Sequence, residues 1–178
     1  MSCITEILKL KGNNDYFVPE GSWTSVEGGG TYNDHEYLIV LNTNGHRCGY
    51  VALKPEHPYS KLTANLENTF KTYDYDSLDI DVHGGLTFMS PSHDLKNLLP
   101  TPCNDMWIGF DCGHYGDFCD TEAFKKYFGA ERFDRKESFF KFMNDGFQNK
   151  SIKDFNYVEK ECHSVIDQLI SIGGKNSI

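Results

Sequence analysis

Two β-type runs, EYLIVLN over residues 36–42 and RCGYVAL over residues 47–53, flank Thr43-Asn44-Gly45-His46. An Asn-Gly step supplies the positive φ angles that a tight turn needs, so the pattern predicts a β-hairpin. A hairpin in the first third commits the chain to a sheet with antiparallel pairing. Later segments extend that expectation. Leu78, Ile80 and Val82 alternate with Asp79, Asp81 and His83, the period of a strand with one buried and one polar face. Leu86-Thr87-Phe88 continues as a strand past Gly84-Gly85, and 106–110 (MWIGF) reads as a mostly buried strand. The Gly-rich Glu27-Gly28-Gly29-Gly30 reads as a loop, and 62–75 as a loop with a short helix.

The last third turns helical. Thr121 to Phe128 closes at Gly129, and Glu137 to Asn144 carries Phe139, Phe140 and Met143. In the final segment Val158, Cys162, Val165, Ile166 and Leu169 recur at helical spacing, with Asn156 and Glu159 as a capping pair and Gly173-Gly174 as the stop. That helix should pack on the sheet. The expected fold is α+β: a single domain over residues 1–178, with an antiparallel or mixed sheet of about four to six strands and helices toward the C-terminus. The 178 residues, 14% of them aromatic, suffice to bury a core on that plan.

A net charge of -9 argues against direct nucleic-acid binding, which draws its affinity from clustered Lys and Arg. The basic residues between Lys125 and Lys141 are interleaved with Glu131, Asp134 and Glu137, the mark of a solvated helical face. No apolar stretch approaches the ~20 residues that cross a bilayer, and residues 1–6 lack a signal-peptide pattern, so no membrane and a cytoplasmic location are expected. The six cysteines are scattered, without a Cys-x-x-Cys pair, and are expected to be reduced thiols.

Chemistry-bearing side chains concentrate beside glycines in two runs, residues 79–87 and 107–117. His83, Asp111, His114 and Asp117 are the candidate catalytic residues: an imidazole and carboxylate set can move protons or hold Zn²⁺, Mn²⁺ or Mg²⁺. The spacing selects no particular metal or cofactor. Gly84, Gly85 and Thr87 are candidates for contacting phosphate or ribose, and Trp107, Tyr115 or Tyr59 for stacking on a base. Each has a plainer explanation. Asp79 and Asp81 read as the wet face of a strand, and Asp111 to Asp117 can be a turn capped by its own carboxylates. Cys112 as a nucleophile with His83 or His114 as base is weighed against a small buried hydrophobe, which free cysteines more often are. Cys112, Cys119 and His114 would lack a fourth ligand for structural zinc.

Several of these residues form a longer pattern: Gly49-Tyr50-Val51, a His57-Pro58-Tyr59 turn, Asp81-Val82-His83-Gly84-Gly85-Leu86-Thr87-Phe88, Trp107-Ile108-Gly109-Phe110-Asp111-Cys112-Gly113-His114 with Gly116-Asp117, and a helix beginning Tyr157-Val158. In this the chain resembles a widespread family encoded in phages and prophages, from about Gly49 onward. It departs where members often have Ala and this chain has Gly113, and in residues 97–104 and 124–150. The resemblance implies a phage-borne accessory protein of the bacterial cytoplasm and a counter-defence setting, without a particular reaction. Three functions fit that setting. The leading expectation is binding or cleavage of a nucleotide-type small molecule. The alternatives are a metal-dependent hydrolase of another small substrate, and an anti-CRISPR-type inhibitor that binds a host defence protein through acidic surface such as Glu67, Asp74, Asp76 and Asp79.

Overall fold

The computed structural model describes residues 3–19, 22, 24–62, 78–91, 106–145 and 151–175. The hairpin lies at the centre of the sheet. Strand β2 (His35–Asn42) pairs antiparallel with β3 (Arg47–Leu53), and Asn42 closes the turn by accepting through Oδ1 from the N–H groups of Asn44 at 2.9 Å and His46 at 3.1 Å. Gly45 takes the positive φ, 77°. Outside β2 lies β1 (Thr24–Tyr32); beyond β3 come β5 (Met106–Asp111) and then β4 (Phe88–Pro91). The order is β1-β2-β3-β5-β4 with every pair antiparallel.

Strand alternation gives the sheet two apolar faces. Tyr37, Ile39, Val51, Leu53, Ile108 and Phe110 point to one, where they meet α6 (Phe155–Lys175) through Val158, Cys162, Val165, Ile166 and Leu169. Leu38, Val40, Ala52 and Trp107 point to the other and are covered by Ile4 and Ile7 of α1 (Cys3–Lys11), a helix outside the sequence expectation. A third cluster joins Leu41 and Cys119 to Phe124 and Phe128 of α3 (Thr121–Phe128) and Phe140 of α5 (Glu137–Asn144). Short helices α2 (Pro58–Leu62) and α4 (Ala130–Asp134) complete the described elements. The fold is α+β, and no helix among the described residues is long and apolar enough to cross a membrane.

Three local expectations are overturned. Glu27 to Gly30 lies inside β1: a Cβ on Gly28 would come within 2.8 Å of the Phe155 ring, and one on Gly29 within 2.8 Å of Ile4 Cδ1. The edge strand is pressed at these glycines by Phe155 and Ile4, and its register with β2 shifts between Val26 and Gly28, so a β-bulge adjoins them. Residues 78–82 form no strand, and the expected strand at Leu86-Thr87-Phe88 begins only at Phe88. Leu78 and Val82 are buried in the α6-facing core, but the backbone between them bonds to α6 side chains: Asp81 N–H donates to Gln168 Oε1 at 2.8 Å, and Gln168 Nε2 returns to Asp81 O at 2.7 Å. Finally, α6 is capped by Asp154, whose Oδ1 accepts from Tyr157 N–H at 2.8 Å, and it runs through Gly173 and Gly174 to Lys175. Residues 63–77 lie outside the described residues, and Glu67, Asp74 and Asp76 with them.

Candidate functional site

The segment before β4 is held at both ends by buried Val82 and Leu86, and between them the chain turns at Gly84 (φ 68°) and Gly85 (φ 85°). Glu161 of α6 fixes the turn by accepting His83 N–H through Oε2 at 2.8 Å. Beyond β5 a second turn begins. Asp111 Oδ1 accepts Gly113 N–H at 2.8 Å, Gly116 takes φ 100°, and Asp117 N–H donates to His114 O at 3.0 Å. Asp117 Oδ2 in return accepts His114 N–H at 3.1 Å. A short parallel bridge then ties Asp117 to Ser151, bringing in the strand-like lead to α6.

The two turns meet face to face. His83 Nε2 lies 2.8 Å from Asp117 Oδ2, and His83 Nδ1 lies 3.0 Å from the Tyr157 hydroxyl. The His114 ring stands edge-on to His83, with centroids 5.6 Å apart, and its Nδ1 is 3.9 Å from Asp117 Oδ2. That Nδ1 is buried without a hydrogen-bond partner. A Cβ on Gly84 would overlap the His114 ring, so glycine at 84 is what lets the imidazoles close on one carboxylate. Side-chain exposure grades the site from floor to mouth: Asp117 4%, His83 17%, His114 34%. Lys153 Nζ approaches the other carboxylate oxygen, Oδ1, to 3.8 Å.

His83, His114 and Asp117 each offer one donor atom, all within 4.8 Å of one another. Tetrahedral ligands on bonds of ~2.0 Å stand about 3.3 Å apart, so small side-chain rotations would bring the three onto one ion. The surroundings suit that role. Tyr157 faces the second nitrogen of His83, as an outer partner of a metal-bound imidazole does. Burial, with help from Glu161, pushes the Tyr157 phenol above its ordinary range and keeps it a neutral hydroxyl able to donate or accept.

The other sequence candidates lie elsewhere or act differently. Trp107 is fully buried on the opposite face of the sheet, against Ile4, Ile7 and Val26, and offers no surface for a base to stack on. Asp111 is engaged in the Gly113 turn and is not one of the three grouped donors. Thr87 is exposed, with its N–H on Gly109 O. Tyr115 is 84% exposed on the loop beside His114, whereas Tyr59 is spent on Asp79, whose N–H its hydroxyl accepts at 3.2 Å. Cys112 is buried and its thiol is pushed upward by that burial and by Asp117, the reverse of an activated nucleophile. Cys119 contacts His46 Nε2 through Sγ at 3.4 Å and is not one of the three grouped donors. Cys48, Cys112, Cys119 and Cys162 are free thiols.

Tyr157, Glu161 and Lys153 are not among the sequence candidates. Tyr157 and Glu161 lie four residues apart and so share one face of α6; that spacing is the available signal, but a polar pair on a surface helix is common. In comparisons with family models, curated proteins and solved structures, nothing matches the chain.

Proposed function

We propose that the chain is a metal-dependent hydrolase of a small substrate, with a divalent cation held by His83 Nε2, Asp117 Oδ2 and a ring nitrogen of His114. The observation that supports this most is the grouping of those donors within 4.8 Å, together with the orphaned Nδ1 of His114. A buried polar atom without a partner is costly, and a metal ion or its bound water would relieve that cost. Two imidazoles and one carboxylate leave further coordination positions for water and substrate, and a bound dication lowers the pKa of that water toward neutrality. The test is metal analysis of purified protein reloaded with Zn²⁺ or Mn²⁺. One ion per chain in the native protein and none in His83→Ala or Asp117→Ala is the expected result; a folded protein that takes up no metal sinks the reading.

A metal-free nucleotide site is the second reading, favoured by one feature of the rim. Tyr115 is largely exposed, and Gly85 and Gly116 have positive φ with open space where a Cβ would stand. An aromatic face beside bare backbone suits a base and its phosphates. With the phage resemblance, the ligand class would be a cyclic or ADP-ribose-type nucleotide signal in the host cytoplasm. Nucleotide binding by chelator-treated protein, lost in Tyr115→Ala, would support this reading over the first.

A further inference from the structure

We infer that this site takes its substrate as a phosphate ester, with Lys153 binding the phosphoryl oxygens; the inference rests on the metal-site reading above. The Lys153 ammonium is placed by its surroundings on three sides. It donates to Ser151 Oγ at 2.9 Å, lies 4.9 Å from the centre of the Tyr157 ring, and approaches Asp117 Oδ1 to only 3.8 Å. That last distance is an ion pair without a hydrogen bond, so an ammonium with three N–H groups keeps donor capacity beyond Ser151. The side chain is 20% exposed, and the Lys153 carbonyl is gripped at 3.1 Å by Arg47 Nη1.

The contacts favour an anion. A dication and Lys153 together offset Asp111, Asp117 and Glu161, so the site is balanced in a chain whose overall charge is -9. A neutral ester presents no charged oxygen to the pairing of cation and ammonium. A phosphoryl group spans it, one oxygen on the cation and another on the ammonium, and open space at Gly85 and Gly116 leaves room for the remaining oxygens. In the hydrolysis a water oxygen bonds to phosphorus, the ester P–O bond breaks, and the departing alcohol oxygen gains the proton that the water gives up. Inorganic phosphate and an alcohol result, and no oxidant or co-reactant is needed.

The experiment is calorimetric titration of inorganic phosphate into native protein, Lys153→Met and Lys153→Arg, each metal-loaded, and into metal-stripped native protein. The expected result is phosphate binding by the loaded native protein, roughly tenfold to a hundredfold weaker in Lys153→Met at unchanged metal content and partly restored in Lys153→Arg. With p-nitrophenyl phosphate the Lys153→Met change should raise KM by a similar factor and lower kcat by less. Equal phosphate affinity in native and Lys153→Met protein overturns the inference, as does loss of metal in Lys153→Met, which would make the lysine a support of the metal site. If native protein takes no metal, the underlying reading fails. Phosphate binding that survives stripping and disappears in Lys153→Met then sustains the lysine's role, and no phosphate binding ends it.

Discussion

The ring of His114 fills the space that a side chain on Gly84 would need. The neighbouring Gly85 shares the left-handed backbone but has nothing within 4 Å of where its Cβ would stand. Alanine at each position therefore separates backbone strain from collision. Gly85→Ala should cost about 1 kcal/mol, the left-handed penalty alone, and keep full metal uptake. Gly84→Ala should cost that and also displace His114, lowering metal affinity at least ~10-fold. Denaturant titrations with metal content on the same samples check this, and equal metal affinity in the two variants would contradict it.

Removing the Tyr157 hydroxyl tests the outer layer of the site. Tyr157→Phe should fold normally, because the ring still packs beside His83 and only the 3.0 Å contact is lost. Metal affinity, measured by competition with a chromogenic chelator, should drop roughly 10- to 100-fold. Unchanged affinity would mean that the tyrosine neither orients His83 nor supports a metal.

A buried charge network braces the lead to α6. Arg47 is 6% exposed, donates through Nε at 2.7 Å and Nη2 at 2.9 Å to Glu27, and reaches Asp120 at 2.8 Å. Burial works against its charge, yet Glu27 and Asp120 outweigh that and push its pKa upward. Glu27→Ala would strand the guanidinium without its bidentate partner, and a loss of about 3–5 kcal/mol in unfolding free energy is expected. A loss below ~1 kcal/mol would show that Asp120 and water suffice.

Acid should weaken the fold through His35. This residue is 4% exposed with Nδ1 3.3 Å from Ala52 O, and burial holds its pKa below the ordinary histidine value. The unfolded chain therefore takes up a proton at a pH where the folded one does not. Its contribution is fully present above the unfolded pKa of ~6.5 and declines as pH falls from there through the folded pKa. Thermal melts from about pH 8 to about pH 5 should show that decline, and His35→Gln should flatten part of it. An identical pH slope in the variant would place the acid sensitivity elsewhere.

How far the amino-acid sequence discloses the fold depends on how local each cause is. The β2–β3 hairpin is legible through Gly45, which takes the positive φ although Asn44 does not, and α3 because Thr121 and Gly129 mark its ends. Alternation at 78–82 reports one-sided burial correctly, but burial against α6 with side-chain hydrogen bonds has the same period as a paired strand. Gly28 and Gly29 mislead in the opposite sense: their smallness answers to Phe155 and Ile4, which lie far off in the chain. At the candidate site, glycines beside His83, His114 and Asp117 mark the two turns that meet. Trp107 fails as a stacking surface because β5 is an interior strand, with both of its faces covered. The contributions of α6 and Lys153 depend on which helix crosses which turn, and no local pattern encodes that.

The three donors and their outer partners come from stretches around residues 83, 114–117 and 153–161, and Tyr157 and Glu161 of the last stretch stand on α6. During synthesis the first two turns leave the ribosome with neither Tyr157 nor Glu161 to settle them. On the proposed metal reading, a nascent chain should therefore take up no ion at these turns until its final helix has emerged and docked. The same dependence suits the protein to complementation: a fragment ending before Asp154 and a separate peptide spanning α6 should each bind no metal on the proposed reading, and reassociation of the two should be reported by metal uptake.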